Sequence, residues 1–166
     1  MSDAVDQIRA AWSRIHPDVD CSYVEVTGRV TRIARIMDRE FAEFFKGHGM
    51  EFWEFDLLST LRRNGGDDGL TAGALNKALM VTSGAVTNRI DRMAAKGLVV
   101  RVADPSDRRA VRVQLTEAGR DLVDKLLPLH AANAERLLAD FAGSDREAIV
   151  PLLRALAEAL GDKSLS

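Results

Sequence analysis

Cysteine and long apolar runs are scarce in this sequence, and each shortage excludes a class of protein. Cys21 is the single cysteine among 166 residues, so no disulfide can form within the chain, which agrees with a reducing compartment. No apolar run is long enough to span a bilayer, and the N-terminal segment MSDAVDQIRA is too acidic and polar for a secretion signal. We therefore expect a cytoplasmic protein that does not enter a membrane.

Residue patterns typical of enzymes and metal sites are also missing. The histidines His16, His48 and His130 are scattered along the chain, and no nucleophile, metal-ligand or phosphate-loop spacing surrounds them. We expect no catalysis and no bound cofactor or metal. The hydrophobic content of 46% is sufficient for one core, and no segment resembles a linker, so we expect a single domain over residues 1–166.

The segment 97–116, GLVVRVADPSDRRAVRVQLT, indicates two short strands joined by a charged turn. β-Prone residues fill both ends of the segment, and the DPSD residues between them are typical of turns. Arg112 and Gln114 alternate with apolar residues and are expected to face away from the core. Arg108 and Arg109 lie at the tip, where two fixed cations are suited to entering a narrow groove of negative potential. This is the pattern of a DNA-binding wing, although a charged surface hairpin has the same pattern.

Two short helices precede this hairpin. The first, in the segment LTAGALNKAL, has Thr71 as its cap, and the second opens at Thr82 and Ser83 after a short break. Three apolar residues recur at helical spacing and mark the buried side of the second helix: Val86, Ile90 and Met93. Gly97 ends this helix at a position that tolerates left-handed geometry. Two short helices joined by a tight turn suggest a helix-turn-helix, although an ordinary amphipathic helix gives a similar pattern.

The outward side of the second helix carries residues suited to DNA. Short hydroxyl, amide and glycine positions near a helix N-terminus let the backbone approach phosphates and bases closely. The candidate contacts on this helix are Thr82, Ser83, Gly84, Thr87, Asn88 and Arg92. Residues 81–120 hold eight basic and four acidic residues, whereas the rest of the chain holds fifteen basic and twenty-one acidic ones. Positive charge localised in this way favours a specific DNA-binding protein.

The remaining segments are predicted to be helical. Val5, Ile8, Trp12 and Ile15 share one face of a first helix, an apolar stripe follows on a long second helix, and 52–61 forms a third. Thr116 caps a later helix, and Ser144 with Glu147 forms a capping box for the last one. Such long apolar faces favour a two-fold dimer that reads an inverted repeat in double-stranded DNA, although packing within one chain is the alternative.

In this order of elements, the DPSDRRAVRVQLT wing and the TNRIDRM segment resemble the MarR family of bacterial transcription regulators over residues 22–160. The resemblance implies a mainly α fold with a small β wing, a winged helix-turn-helix with flanking dimerisation helices. Regions 1–46 and 116–166 would form the dimer, and 50–115 the DNA-binding lobe. By the same resemblance Asp107 and Arg109 hold the wing in shape, and Arg108 or Arg109 enters the minor groove.

Four further residues resemble the ligand-binding set of the urate-responsive subgroup of this family, related to PecS-type regulators: Trp12, Asp56, Arg89 and Arg101. Arg89 lies about 70° around its helix from the apolar face and is poorly aimed at DNA. Asp56 stands in the apolar run FWEFDLL and needs a partner. The alternatives are a core role for Trp12, an ion pair between Asp56 and Arg89, and a phosphate contact for Arg101.

We therefore predict a homodimeric DNA-binding regulator, a repressor of an inverted-repeat operator that is released by a small anion such as urate or another organic acid. Two alternatives remain. Cys21 near Tyr23 would suit a peroxide sensor, although the acidic residues Asp18, Asp20 and Glu25 disfavour a thiolate there. A winged helix that serves only protein assembly would show no salt-sensitive DNA binding.

Overall fold

The structure is a computed structural model that describes residues 2–104 and 110–163. Its elements are α1 (Ala4–Ile15), α2 (Val24–Lys46), α3 (Phe52–Asn64), β1 (Leu70–Thr71), α4 (Ala72–Leu79), α5 (Ser83–Ala95), β2 (Val99–Ala103), β3 (Val111–Leu115), α6 (Glu117–Leu137) and α7 (Gly143–Ala159). They fall into two compact units, residues 1–49 and 50–166. The predicted division of a single domain into a dimerisation region and a DNA-binding lobe stays a prediction.

The first unit pairs α1 with α2. The side chain of Asp3 accepts hydrogen bonds from the backbone of Val5 and Asp6, which begins α1. Arg29 on α2 donates to both Asp3 and Asp6, at 2.9 and 2.6 Å. Val5 is buried beside Gly28, where an added Cβ would lie 3.2 Å from Val5. The glycine therefore lets the two helices approach closely.

The second unit is built around α3, which packs against α4, α5, α6 and β3. Its core is made of apolar residues from all of these elements: Leu57, Leu58, Leu61, Leu75, Leu79, Val86, Ile90, Met93, Val113, Leu115, Val123 and Leu126. The predicted buried face of α5 is confirmed. The turn between α4 and α5 is short, and Met80 takes a left-handed conformation in it with φ 52°. This is the helix-turn-helix.

A three-stranded antiparallel sheet in the order β1–β3–β2 follows. Val99 faces Leu115 across the hairpin, and Leu70 faces Val113 on the other side of β3. The sequence did not indicate the two-residue strand β1, in which Leu70 and Thr71 pair with a strand more than forty residues away. Helix α4 then begins at Ala72, directly after the predicted cap Thr71.

Helix caps agree with the sequence at three of four predicted starts. The side chains of Thr71, Thr82 and Thr116 each accept a hydrogen bond from the backbone three residues on, and Gly97 has φ +70°. The predicted capping box at Ser144 was wrong. Helix α7 begins at Gly143 without a side-chain cap, and Arg146 in its first turns donates to the backbone carbonyls of Leu138 and Phe141.

Many large apolar side chains on the terminal helices are exposed. On α1 and α2 they are Ile8, Trp12, Ile15, Val26, Val30, Ile33 and Ile36, and on α6 and α7 they are Leu127, Leu129, Val150, Leu152 and Leu153. Among its described residues, α7 has no buried side chain. A search of the described helices found none with the length and hydropathy required to cross a membrane.

Candidate DNA-binding surface and effector site

The exposed N-terminal half of α5 brings together the uncharged residues predicted to meet DNA. Thr82 caps the helix by accepting a hydrogen bond from the Ala85 backbone at 3.4 Å. Four exposed residues follow it within the next two turns: Ser83, Gly84, Thr87 and Asn88. Nothing lies within 4 Å of the position a Cβ would take at Gly84, so the backbone there is open to a close approach. This surface combines exposed polar side chains with the positive end of a helix dipole.

The base of the wing is held by a buried ion pair that the sequence did not indicate. Arg112 donates to the carboxylate of Asp104, whose side chain is only 4% exposed, and also to the backbone carbonyl of Gly69 at 3.2 Å. Gln114 donates to the carbonyl of Asp67 at 2.9 Å. As predicted, Arg112 and Gln114 alternate with the buried Val113 and Leu115, and on the face away from the core both donate to carbonyls in the loop before β1.

The predicted wing-tip residues Asp107, Arg108 and Arg109 lie outside the described residues. The strands that carry the wing are described up to Asp104 and from Ala110 onward. The roles predicted for these three residues stay predictions.

Trp53 on α3 contacts two arginines of α5. The guanidinium carbon of Arg92 lies 4.5 Å from the centre of the Trp53 ring, and that of Arg89 lies 5.4 Å away. Both distances are within the range of a cation–π interaction. Arg92 is exposed, as predicted, but it also donates to Glu51 at 3.2 Å. Its guanidinium is therefore held by α3 rather than projecting freely from the recognition helix.

Glu54 is the most deeply buried charged residue of this region, at 1% exposure. Its carboxylate accepts a hydrogen bond from Lys96 at 2.6 Å and from the Glu51 backbone at 3.2 Å. Glu51 in turn accepts from the indole N–H of Trp53 at 3.0 Å. Sequence analysis did not identify Glu51, Trp53 or Glu54 as functional residues. The available signal was the spacing of Glu51 and Glu54, three apart at the start of a helix, with Glu54 flanked by aromatic residues.

Asp56 is half-buried on α3 and makes no ion pair within 4.0 Å among the described residues. Burial raises the pKa of its carboxyl above the usual value, while the nearby Arg63 and Arg89 partly lower it. The alternative of a direct ion pair between Asp56 and Arg89 is therefore not what the structure contains. Arg89 is half-buried as well, and its charge acts on the Asp56 carboxyl without an ion pair between the two.

The two other predicted ligand residues have separate surroundings. Arg101 pairs with Asp91 on α5 at 2.7 Å, with both side chains well exposed. Trp12 belongs to the first unit, where its ring stacks on His16 with the centroids 5.8 Å apart. Trp12 is 45% exposed, so it does not fill a core.

Comparison with known proteins identifies the group to which this architecture belongs. The MarR family model matches residues 48–110, which contain the helix-turn-helix and the first strand of the wing. The regulator PecS of Dickeya dadantii is 31% identical over 153 residues, which cover 92% of this chain and 90% of PecS. The chain belongs to the MarR family. It is a DNA-binding transcriptional regulator, and its relatives are regulators and not enzymes.

Solved structures confirm the winged helix-turn-helix fold of this MarR-family chain. BpsR of Bordetella bronchiseptica, described with 6-hydroxynicotinic acid as a regulator of its DNA binding, superposes with a TM-score of 0.71 at 27% identity, covering 80% of this chain and 92% of BpsR. MepR of S. aureus, solved in complex with DNA, superposes with a TM-score of 0.72 at 21% identity, covering 81% and 97%. The predicted fold class is therefore correct.

Most cationic side chains in the DNA-binding lobe of this MarR-family chain have partners within the chain. Six of the eight basic residues between 81 and 120 lie in the described part: Arg89, Arg92, Lys96, Arg101, Arg112 and Arg120. Each of them has an acidic or aromatic partner, and the weakest of these contacts is that of Arg120, 4.0 Å from Asp67. The positive charge counted from the sequence therefore supports the structure of the lobe as well as its binding.

The single cysteine, Cys21, is buried, at 6% exposure, and burial disfavours the reaction of a thiol with peroxide. The alternative of a peroxide sensor stays a prediction. Among the described residues no three of the types His, Cys, Asp and Glu come together as a metal site.

Proposed function

We propose that this regulator is a homodimeric repressor that binds an inverted-repeat operator in double-stranded DNA and is released by a small organic anion, urate or a related organic acid. The observation that carries the proposal is the N-terminal half of α5, where exposed uncharged side chains surround an open backbone at Gly84. Such a surface suits close contact with bases and phosphates in the major groove. The site of action would be the cytoplasm, where chromosomal DNA lies.

Exposed apolar side chains on the terminal helices support the dimer. Those of α1 and α2, and those of α6 and α7, form stripes that a single chain leaves in contact with water. Burying them against a second copy would release that surface from water at about 25 cal/mol per Å². A two-fold dimer also explains why an inverted repeat would be the target, since each half-site would meet one recognition helix.

The proposed DNA contacts divide into two groups. Thr82, Ser83, Gly84, Thr87 and Asn88 would lie in the major groove. By resemblance to the family, Asp107, Arg108 and Arg109 would form the wing tip, with an arginine in the minor groove. Removing one arginine contact from such an interface typically costs about 1–3 kcal/mol, or roughly fivefold to a hundredfold in affinity.

The effector is proposed to bind near Asp56 and Arg89. An organic anion that reached this region would attract Arg89 and would be repelled by ionised Asp56, and Arg89 is part of the recognition helix itself. The neighbouring pair of Arg101 and Asp91 is exposed, so an incoming anion would lose about 1 kcal/mol or less by opening it. Trp12 joins this set on the resemblance alone, and the regulation of BpsR by 6-hydroxynicotinic acid makes an organic acid the first class to test.

A mobility-shift titration tests the function directly. Purified protein is titrated onto DNA from upstream of its own gene at two salt concentrations, with urate and 6-hydroxynicotinate added separately. Arg109→Ala is expected to weaken DNA binding about tenfold or more and to reduce the salt dependence. Arg89→Ala and Asp56→Ala are expected to reduce the effector response more than the DNA affinity. Arg62→Ala, which removes an exposed arginine paired with Asp124, is the control and should behave as wild type.

Equal loss of DNA affinity and effector response in all three variants would contradict the division into a DNA-contact set and an effector set. Binding that neither acid reverses would contradict the proposed effectors. Failure to bind any fragment of the promoter region would contradict the operator. Sedimentation analysis across a range of concentrations would test the dimer, and a monomer at all concentrations would contradict it.

A further inference from the structure

Three basic side chains of α5 share one stripe of that helix, and the stripe contacts the first turn of α3. Arg89, Arg92 and Lys96 are spaced three and four residues apart, which places them on the same face. Arg92 stacks on Trp53 and donates to Glu51, and Lys96 donates to Glu54. The basic residues of the recognition helix are therefore directed along the protein rather than outward from it.

Glu51, Trp53 and Glu54 form one hydrogen-bonded network, called here the α3 seat. Trp53 donates to one oxygen of Glu51, and Arg92 donates to the other. Glu54 accepts from the Glu51 backbone with one oxygen and from Lys96 with the other. Both oxygens of each carboxylate are thus used. A network whose members are all satisfied fixes the relative positions of the helices that contribute to it.

Arg92 would have to leave this arrangement in order to reach a DNA phosphate. It would give up the face of Trp53 and the ion pair with Glu51, and the buried Glu54 would keep only Lys96 of its two cations. A planar guanidinium matches both an aromatic face and a carboxylate, so the residue already has partners of the kind that it would seek in DNA.

We infer that Arg92 is a positioning residue: it holds the recognition helix on the α3 seat through Trp53 and Glu51 and does not contact DNA. The inference rests on the proposed function only in that α5 is the helix that reads the operator. It removes Arg92 from the predicted contact set and replaces that role with Trp53, a residue in a different helix. The orientation of α5 is then governed by contacts 39 to 42 residues away in sequence.

A double-mutant cycle separates positioning from DNA contact. Operator affinity is measured by fluorescence anisotropy over a range of salt concentrations for Arg92→Gln, Trp53→Leu and the double variant. We expect each single change to weaken binding about twofold to tenfold, as the loss of a cation–π contact of roughly 0.5–1.4 kcal/mol implies. The double variant should bind better than the product of the two single losses implies, because both changes remove the contact between Arg92 and Trp53. The salt dependence should match that of wild type.

A direct phosphate contact by Arg92 predicts the opposite pattern. The two losses would then multiply, and the slope of log affinity against log salt would fall by about one for Arg92→Gln alone. Either result would overturn the inference. Arg62→Gln is the matched control: it makes the same change of charge at an arginine that pairs with Asp124 instead of the α3 seat.

Two further measurements distinguish loss of the contact from misfolding and from a wrong choice of operator DNA. Trp53→Phe retains an aromatic face for Arg92 and should restore most of the affinity lost in Trp53→Leu. The same cycle is followed by thermal unfolding of the free protein, where the drop in Tm of the double variant should be smaller than the sum of the two single drops. Additive drops would overturn the inference even if the chosen DNA did not bind, whereas failure of wild type to bind would bear only on the proposed function.

Discussion

Replacement of Arg112 by methionine is expected to destabilise the second unit through the wing base. Arg112 is 27% exposed and its partner Asp104 is 4% exposed, so the change leaves a nearly buried carboxylate without its guanidinium. The bond from Arg112 to the carbonyl of Gly69 is lost at the same time. Methionine keeps most of the volume of the side chain, so packing changes little and the charge effect dominates.

The size of the effect follows from the burial of the two charges. Breaking a fully buried ion pair by removing one partner costs about 3–5 kcal/mol. Because Arg112 is partly exposed to water, we expect a smaller loss, about 2–3 kcal/mol in the free energy of unfolding. For a chain of this length that corresponds to a fall in Tm of roughly 4–12 °C.

The assay is urea unfolding at neutral pH and a fixed protein concentration, since dimerisation would make stability concentration-dependent. Arg62→Met is the matched control. It removes an arginine whose pair with Asp124 is about half exposed on both sides, and it should cost about 1 kcal/mol or less. The double variant Arg112→Met with Asp104→Asn should recover part of the loss, because no buried charge then remains unpaired. Equal losses for Arg112→Met and Arg62→Met, or no recovery in the double variant, would refute the reasoning.

Two further predictions concern a close backbone contact and a titrating group. Gly119→Ala should lower the free energy of unfolding by about 1–3 kcal/mol, since its Cβ would lie 2.1 Å from the carbonyl oxygen of Leu98. Gly73→Ala is the control and should not destabilise the protein, because its Cβ would meet only the Thr71 hydroxyl, 3.9 Å away. Equal urea midpoints for the two variants would contradict this prediction. Burial raises the pKa of Asp56, so the folded protein binds its proton more tightly than the unfolded chain and stability falls as pH rises from about 3.8 through the folded pKa. Asp56→Asn should therefore be more stable than wild type at neutral pH, and the difference should vanish at acid pH. Asp124→Asn should instead be less stable than wild type at neutral pH, because an arginine lowers the pKa of Asp124. A difference for Asp56→Asn that did not change with pH would contradict the raised pKa of Asp56.

Local features of the fold could be predicted from the sequence. Thr71, Thr82 and Thr116 begin helices by bonding to backbone groups three residues away, so a few neighbouring residues contain all the necessary information. The buried face of α5 was predictable for the same reason, since helical spacing identifies it. The start of α7 was not, since the pattern of Ser144 and Glu147 predicted a cap and the helix begins at Gly143 without one.

Contacts between distant segments could not be predicted in this way. Arg112 and the carbonyl of Gly69 are 43 residues apart, and Arg92 and Glu51 are 41 apart. Asp56 was recognised as a carboxylate in an apolar run, yet Glu54 in the same run has the deeper burial and the closer cation. Which of two acidic residues becomes buried depends on which helix packs over it, and the pattern of a single helix does not contain that information.

The pairing of cations within the lobe bears on how the proposed switch would work. If the recognition helix bound DNA mainly through its own arginines, their electrostatic attraction to the phosphates would extend over about a Debye length. A small rotation of the helix would then change this attraction little. Here the basic residues of α5 are held by α3, which leaves the proposed contacts to uncharged groups such as Thr87 and Asn88. Hydrogen bonds weaken steeply beyond about 3.2 Å and below about 120°. A displacement of α5 by a fraction of a helical turn, produced by an anion that draws Arg89 away from Trp53, would therefore be enough to lose sequence-specific binding while leaving the wing's electrostatic attraction to DNA in place.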